Sequence, residues 1–238
     1  LTGTPAGPWQ DGWFASAAPR AMRAWRGVEA QHVVSTMRLV DTLDEQAVLE
    51  QVLEASKPRL PAAAAGRHYL LSTPFRYRPR HGSRFRRPAA LGVWYGAATL
   101  RTACAEVAYW RWRFLVDSAG LADQELLTQH TFFNAGIDGR AIDLTAAPWA
   151  KAKAHWTRPM DYAATQALAD AARAQGVQWL HYASVRDAGG RCAAVLDVQA
   201  LVDIDLATQQ TWACRTTRDS VRLVHGADRQ DRHEWRFA

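Results

Sequence analysis

Three groups of residues have types and spacings that suit chemistry. They are an arginine-rich run, TPFRYRPRHGSRFRR at 73–87, a glutamate at position 106, and the segment ASVRDAGGR at 183–191. The run carries six arginines among aromatics, a histidine and prolines, with one glycine and no carboxylate. Arginine suits phosphate because its planar fork donates two parallel hydrogen bonds and stays charged. Arg76 and Arg84 lie on adjoining backbone segments from which two forks can grip a pyrophosphate, with Gly82 permitting close approach. Tyr95 follows, able to stack on a ring or to donate from its hydroxyl. Arg78, Arg80, Arg86 and Arg87 read as a solvated basic face. Glu106 stands among Ala103, Cys104, Ala105, Val107 and Ala108, so it is either partnered by an arginine for structural reasons or reserved for charge chemistry. Ser184 falls between Tyr182 and Arg186, where a strand breaks at Gly189-Gly190, and taken alone it reads as structural.

The charge distribution points at the same run. Between Ala55 and Ala105 there is no Asp or Glu but there are ten Lys or Arg, leaving 19 basic against 23 acidic residues elsewhere. A positive field focused on one stretch suits an anionic ligand, a nucleotide or polynucleotide, or an acidic protein. Other chemistries lose their signatures. No run approaches the ~18 apolar residues of a membrane span, and the first residues lack the charged-then-apolar pattern of a secretory leader. Cys104, Cys192 and Cys214 are odd in number, dispersed and without a CxxC, which predicts buried, reduced thiols, a cytoplasmic setting and no zinc site. There is no GxGxxG after a strand, no GxxxxGK[ST], no HExxH and no GxSxG, so Rossmann, P-loop, zinc-protease and α/β-hydrolase chemistry drop out. The eight histidines include no pair at i, i+4, which disfavours a metal, and His181 reads as a structural strand residue.

The elements that must position these residues follow from periodicity. Residues 1 to about 40 show no clear period and read as an extended or partly helical extension wrapped on the body, with Trp9 and Trp13 covering the core. LDEQAVLEQVLEAS at 43–56 has helical spacing, ended by Lys-Pro. PRLPAAAAG reads as a linker, so the division is an N-terminal extension over 1–65 and a main domain over 66–238. HYLLS and GVWYGA read as strands, and Thr99 opens a helix carrying Thr102, Glu106, Tyr109 and Arg113 on one stripe. Strands are predicted at 128–134 and 140–144, a helix from about Pro159 to Gln175 closed by Gly176, and mostly β-like runs beyond. Strands mixed with a few helices, without βαβ repetition, predict an α+β fold of largely antiparallel sheet.

TPFRYRPRHGSRF, GVWYGA, TACAEVAYWR and HYASVRDAGG, in that order and at those separations, resemble the RES domain, a family named for an Arg, a Glu and a Ser. The resemblance spans roughly residues 66–205 and sets the three name residues on Arg76, Glu106 and Ser184, with a further nucleotide-pocket Arg and Tyr on Arg84 and Tyr95. Where many members have Gly-Arg-Trp-Asn, this chain has Gly-Ser-Arg-Phe. The resemblance implies an ADP-ribosyltransferase-like core of mostly antiparallel sheets around an NAD cleft, flanked by helices. It further implies an NAD-consuming toxin of a bacterial toxin–antitoxin pair, with NAD as substrate rather than cofactor and an Xre-type helix-turn-helix antitoxin as partner. On that reading Glu106 and Ser184 are catalytic, Arg76, Arg84 and Tyr95 bind NAD, and no metal, membrane or direct nucleic-acid contact is required. Water, inorganic phosphate and a protein side chain all stay open as acceptors of the ribosyl group, and a homodimer is compatible. The competing readings are an ADP-ribosyltransferase with a protein target, a secreted effector using the same chemistry, and a non-enzymatic nucleic-acid module built on the basic run.

Overall fold

A computed structural model describes residues 7–30 and 39–237. Positions 1–6 and 31–38, part of the expected N-terminal extension, lie outside the described residues. The strands are β1 (Ala18–Glu29), β2 (Trp94–Ala97), β3 (Leu126–Asp143), β4 (Trp179–Ala183), β5 (Arg191–Val195), β6 (Leu201–Thr216), β7 (Ser220–His225) and β8 (Arg232–Arg236). The helices are α1 (Leu43–Ser56), α2 (Tyr69–Arg76), α3 (Leu100–Asp117), α4 (Lys153–Trp156) and α5 (Ala163–Ala174), with short 3-10 turns between elements. The fold is therefore α+β, as the mixture of patterns predicts.

One eight-stranded sheet runs in the order β1-β2-β5-β4-β3-β6-β7-β8, and its pairings are antiparallel apart from β3 with β4. β1 also pairs with β3 along its whole length, from Ala18 opposite Ala141 to Glu29 opposite His130. Because β1 meets β2 at Trp25 opposite Ala97 as well, five strands close into a ring, and β6, β7 and β8 continue the sheet from β3. Closure satisfies backbone groups that a free edge would leave to solvent or to another chain.

The pleat of β3 divides the core. Successive side chains point to opposite faces, so Phe132 packs with Phe85, Trp149, Trp156 and Trp212, while Phe133 packs with Trp94 and Trp179 on the other side. Burying each large apolar side chain contributes roughly 1.5–3 kcal/mol, which makes this aromatic core the main source of stability. The early tryptophans do cover it: Trp13 meets Trp149 edge-on at 5.4 Å and Trp9 lies 6.2 Å from Trp156. No described helix is long and apolar enough to cross a membrane.

Three expectations need correction. Residues 18–29 are extended, as expected, but they are not an extension wrapped on the body: they form a full strand of the sheet, with Ala24 completely buried. HYLLS is not a strand: with the following TPFR it forms α2, because Leu71 and Phe75 at i, i+4 are buried together and the His68 ring accepts from Leu70 N. The strands predicted at 128–134 and 140–144 are one strand, β3, whose register against β6 slips between Phe132 and Asn134 and between Gly136 and Ile137. The strand absorbs these irregularities, the second of them at Gly136, without breaking.

Ala24→Asp places an unpaired carboxylate in the closed ring. It is expected to lower the unfolding free energy by at least about 3 kcal/mol in a denaturant titration. A change within about 0.5 kcal/mol, as for a surface position, would show that β1 is peripheral.

Candidate active site

The site is built around α3 and the loop that follows β4. Thr99 caps α3, its hydroxyl accepting Thr102 N at 3.1 Å. Thr102 Oγ1 in turn donates to Asp187 Oδ2 at 2.7 Å, tying the first turn of the helix to the loop after β4. That loop reverses through Gly189, at φ 82°, and Gly190, where a Cβ would lie 2.8 Å from Thr102 Cγ2. Both glycines are needed, the first for its backbone conformation and the second for its closeness to the helix.

These ties bring Ser184 to Glu106. Ser184 Oγ accepts from the backbone N–H groups of Arg186 and Asp187, each at 3.1 Å, and donates to Glu106 Oε1 at 2.7 Å. A hydroxyl has two lone pairs and one proton, so with both lone pairs engaged its proton has one destination. Cys192 Sγ lies 3.9 Å from the same oxygen. Burial raises the Glu106 carboxyl above its ordinary 4.5, while the Ser184 hydrogen bond, the Arg186 and Arg84 charges and Cys192 restrain the rise.

Glu106 opens onto a cleft of about 380 Å³, within the range of small-molecule sites. Four arginines line it: Arg26 from β1, Arg84 from the basic run, Arg111 from α3 and Arg186. Arg84 is buried, with Nη1 donating to the carbonyls of Trp156 at 3.0 Å and Arg158 at 2.9 Å, and its guanidinium lies 4.8 Å from the Tyr162 ring centre. Arg186 donates to Pro159 O at 2.7 Å and lies 3.3 Å from the Tyr109 ring centre. Arg26 donates to Tyr95 O at 2.9 Å, faces the Trp94 ring and keeps a buried Nε without a partner. Burial lowers Arg26 to about 10, so it remains cationic at neutral pH. Arg111 differs, being paired with Glu29 at 2.8 Å. Beside it His130, pushed to about 4 by burial and then by the Arg111 charge, stays neutral with a buried, unpartnered Nδ1.

Among the described residues Arg26, Arg84 and Arg186 form no ion pair, so one carboxylate faces three uncompensated cations. Such a cleft attracts an anion. The described residues contain no cluster of His, Cys, Asp or Glu able to hold a metal. The three cysteines are free and buried, and His181 sits away from the cleft with Nδ1 3.1 Å from Asp143 Oδ1.

Of the residues singled out in the sequence, Glu106, Ser184, Arg84 and Tyr95 come together. Tyr95 lines the cleft, but its hydroxyl is taken by Phe85 N at 2.9 Å and Ser83 Oγ at 2.8 Å, so it shapes the loop that carries Arg84. Arg76 does not join them, which corrects the expectation of two forks on one pyrophosphate. Because its segment is a helix, with Phe75 turned inward, Arg76 emerges elsewhere and bonds Glu54 at 2.9 Å and Pro58 O at 2.5 Å. Gly82 permits a close approach, but to Gln166 Nε2 on α5, 2.9 Å from where a Cβ would be. Arg86 and Arg87 are spent on Pro79 O, His81 O and Asp170, while Arg78 and Arg80 are exposed. Arg26, Arg186 and Tyr162 line the cleft as well, although none of them was expected to have a role there. An arginine inside the apolar strand AWRGV, and a second two residues after Ser184, were the available signals.

A family model described as RES domain matches residues 59–217. No curated protein matches the chain. Among solved structures, the crystal structure of the M. tuberculosis MbcT–MbcA toxin–antitoxin complex aligns with a TM-score of 0.47 and 14% identity, over 82% of this chain and 92% of that chain.

The contacts of Glu106 set a test that needs no substrate. With its side-chain carboxyl carbon followed by NMR, Glu106 is expected to titrate above 4.5, and Ser184→Ala or Arg186→Ala to move it higher still. An unchanged midpoint in both variants would mean that neither contact stabilises the anion.

Proposed function

The chain belongs to the RES domain family, and from that premise we propose that it consumes NAD by breaking the bond between nicotinamide and ribose. The observation that carries the reading is Glu106, a carboxylate held by Ser184 at 2.7 Å within a cleft where Arg26, Arg84 and Arg186 form no ion pair among the described residues. In that reaction the carbon–nitrogen bond breaks, its electron pair neutralises the pyridinium, and positive charge develops on the ribose. A fixed carboxylate beside that carbon stabilises the transition state more than the ground state, which is the condition for rate enhancement. An incoming water, or inorganic phosphate, completes the substitution at the sugar carbon, and water gives up a proton on doing so.

The other residues take roles that follow from their surroundings. Arg84, Arg26 and Arg186 hold the diphosphate. Tyr95, Tyr162 and Tyr182 wall the cleft and exclude water, which strengthens every charge contact inside it. Ser184 acts through Glu106, keeping its oxygen aimed and its charge tolerable. In the cell the activity is that of a growth-arresting cytoplasmic toxin, with an Xre-type helix-turn-helix antitoxin covering the cleft. NAD is the substrate, and neither metal nor nucleic acid takes part.

The purified protein is expected to deplete NAD and release nicotinamide, followed by chromatography with phosphate present and absent. Glu106→Gln should lower kcat by about a hundred- to a thousandfold while NAD still binds. Arg84→Ala and Arg26→Ala should raise KM, and Arg76→Ala should leave both constants alone because its guanidinium is engaged outside the cleft. Intact NAD after incubation with inhibitor-free wild-type protein and phosphate would contradict the proposal.

A further inference from the structure

Helix α1 leaves several large apolar side chains bare. Its sequence sets Leu43, Ala47, Val48, Leu49, Val52 and Leu53 all round the axis, interleaved with four carboxylates and two glutamines, so no single face gathers its apolar side chains. Leu43 is 79% exposed, Val48 and Val52 59% each, and Leu53 41%. Gln46 is its one buried residue. The helix is nonetheless well formed at its start. Thr42 Oγ1 accepts Glu45 N at 3.2 Å, and Glu45 Oε2 accepts Thr42 N at 3.1 Å, a reciprocal capping box. A lone helix of this length is marginal in water, so its exposed apolar side chains mark a surface on which packing would stabilise it.

Charge says what. The helix carries Asp44, Glu45, Glu50 and Glu54 and no base. Among the described residues only Glu54 of these four is ion-paired, to Lys57 and to Arg76. Next to it runs a groove lined by Arg59, Arg78 and Arg80 together with the apolar surface of Phe75, Tyr77 and Leu91. Those three arginines have no ion-pair partner among the described residues, and Leu91 is 49% exposed. The Glu54–Arg76 pair fastens the C-terminal end of α1 at the rim of this groove, while the carboxylates of its earlier turns reach none of the groove's arginines. A 14-residue helix is about 21 Å long, enough to extend across to a neighbouring molecule.

We propose that two copies of the chain associate through a twofold axis, α1 of each lying in the basic, apolar groove of the other. Asp44, Glu45 and Glu50 of one copy then meet Arg59, Arg78 and Arg80 of its partner, and Val48 and Val52 leave water. Each copy supplies one helix and one groove, so a single kind of contact is made twice and the assembly closes. It uses none of the cleft residues, so it stands or falls independently of the proposed reaction.

Charge exchange tests the arrangement. Wild-type protein is expected to sediment as a dimer that weakens as salt is raised. Asp44→Arg with Glu50→Arg, and separately Arg78→Glu with Arg80→Glu, should each weaken the dimer by at least about a hundredfold through like-charge contact. All four positions are exposed, and circular dichroism checks that each variant is folded. Mixing the two variants should restore a dimer, since reversed helix then meets reversed groove and native helix meets native groove. A wild-type monomer at every concentration overturns the proposal, as does a dimer indifferent to both variants or a mixture that stays monomeric. A monomer whose groove variant loses oligonucleotide binding would identify the groove as a nucleic-acid surface instead.

Discussion

The hydrogen bond from Ser184 to Glu106 is the contact on which the cleft depends. A buried carboxylate tends to take up a proton, and a neutral Glu106 stabilises no developing cation. A hydrogen bond to a charged group is worth about 1.5–3 kcal/mol, and this one is aimed by the backbone rather than by chance. Two N–H groups occupy the serine's lone pairs, the glycine turn sets those N–H groups, and Thr102 ties the turn to the helix that bears Glu106. Every link is local to the junction of β4 and α3, so the geometry exists before any ligand arrives.

The arginines follow a second rule. Arg84 is oriented by the carbonyls of Trp156 and Arg158, Arg186 by that of Pro159, and Arg26 by that of Tyr95. A carbonyl directs a guanidinium without neutralising it, whereas a carboxylate would do both. The contrast lies within the same cleft, where Arg111 is matched by Glu29. Three cations are thus held in position with their charge unspent, which is the condition a diphosphate needs. The closed ring of strands contributes here, because β1 carries Arg26 to a wall otherwise made from the C-terminal two-thirds of the chain.

What could be read in the sequence was what is local. Glu106 betrays itself by its small, apolar neighbours, and α3 by its spacing. Arg84, Tyr95 and Ser184 stand out as motif residues at family-like separations. Arg76 misled because distance along a chain is not direction in space: eight residues before Arg84, it ends a helix that faces Glu54. That helix was hidden because HYLLS alone is too short to distinguish a period of two from one of 3.6. Arg26 was missed for a different reason. Its place in the cleft comes from the pairing of β1 with β3, more than a hundred residues on, and no local pattern encodes such a partner.

The most direct measurement is a crystal structure of the Glu106→Gln protein with NAD bound. The account predicts the nicotinamide ribose beside residue 106 and the diphosphate on Arg84, Arg26 and Arg186. NAD held by Arg76 and the neighbouring basic groove, or bound in the cleft with its ribose turned away from residue 106, would contradict it.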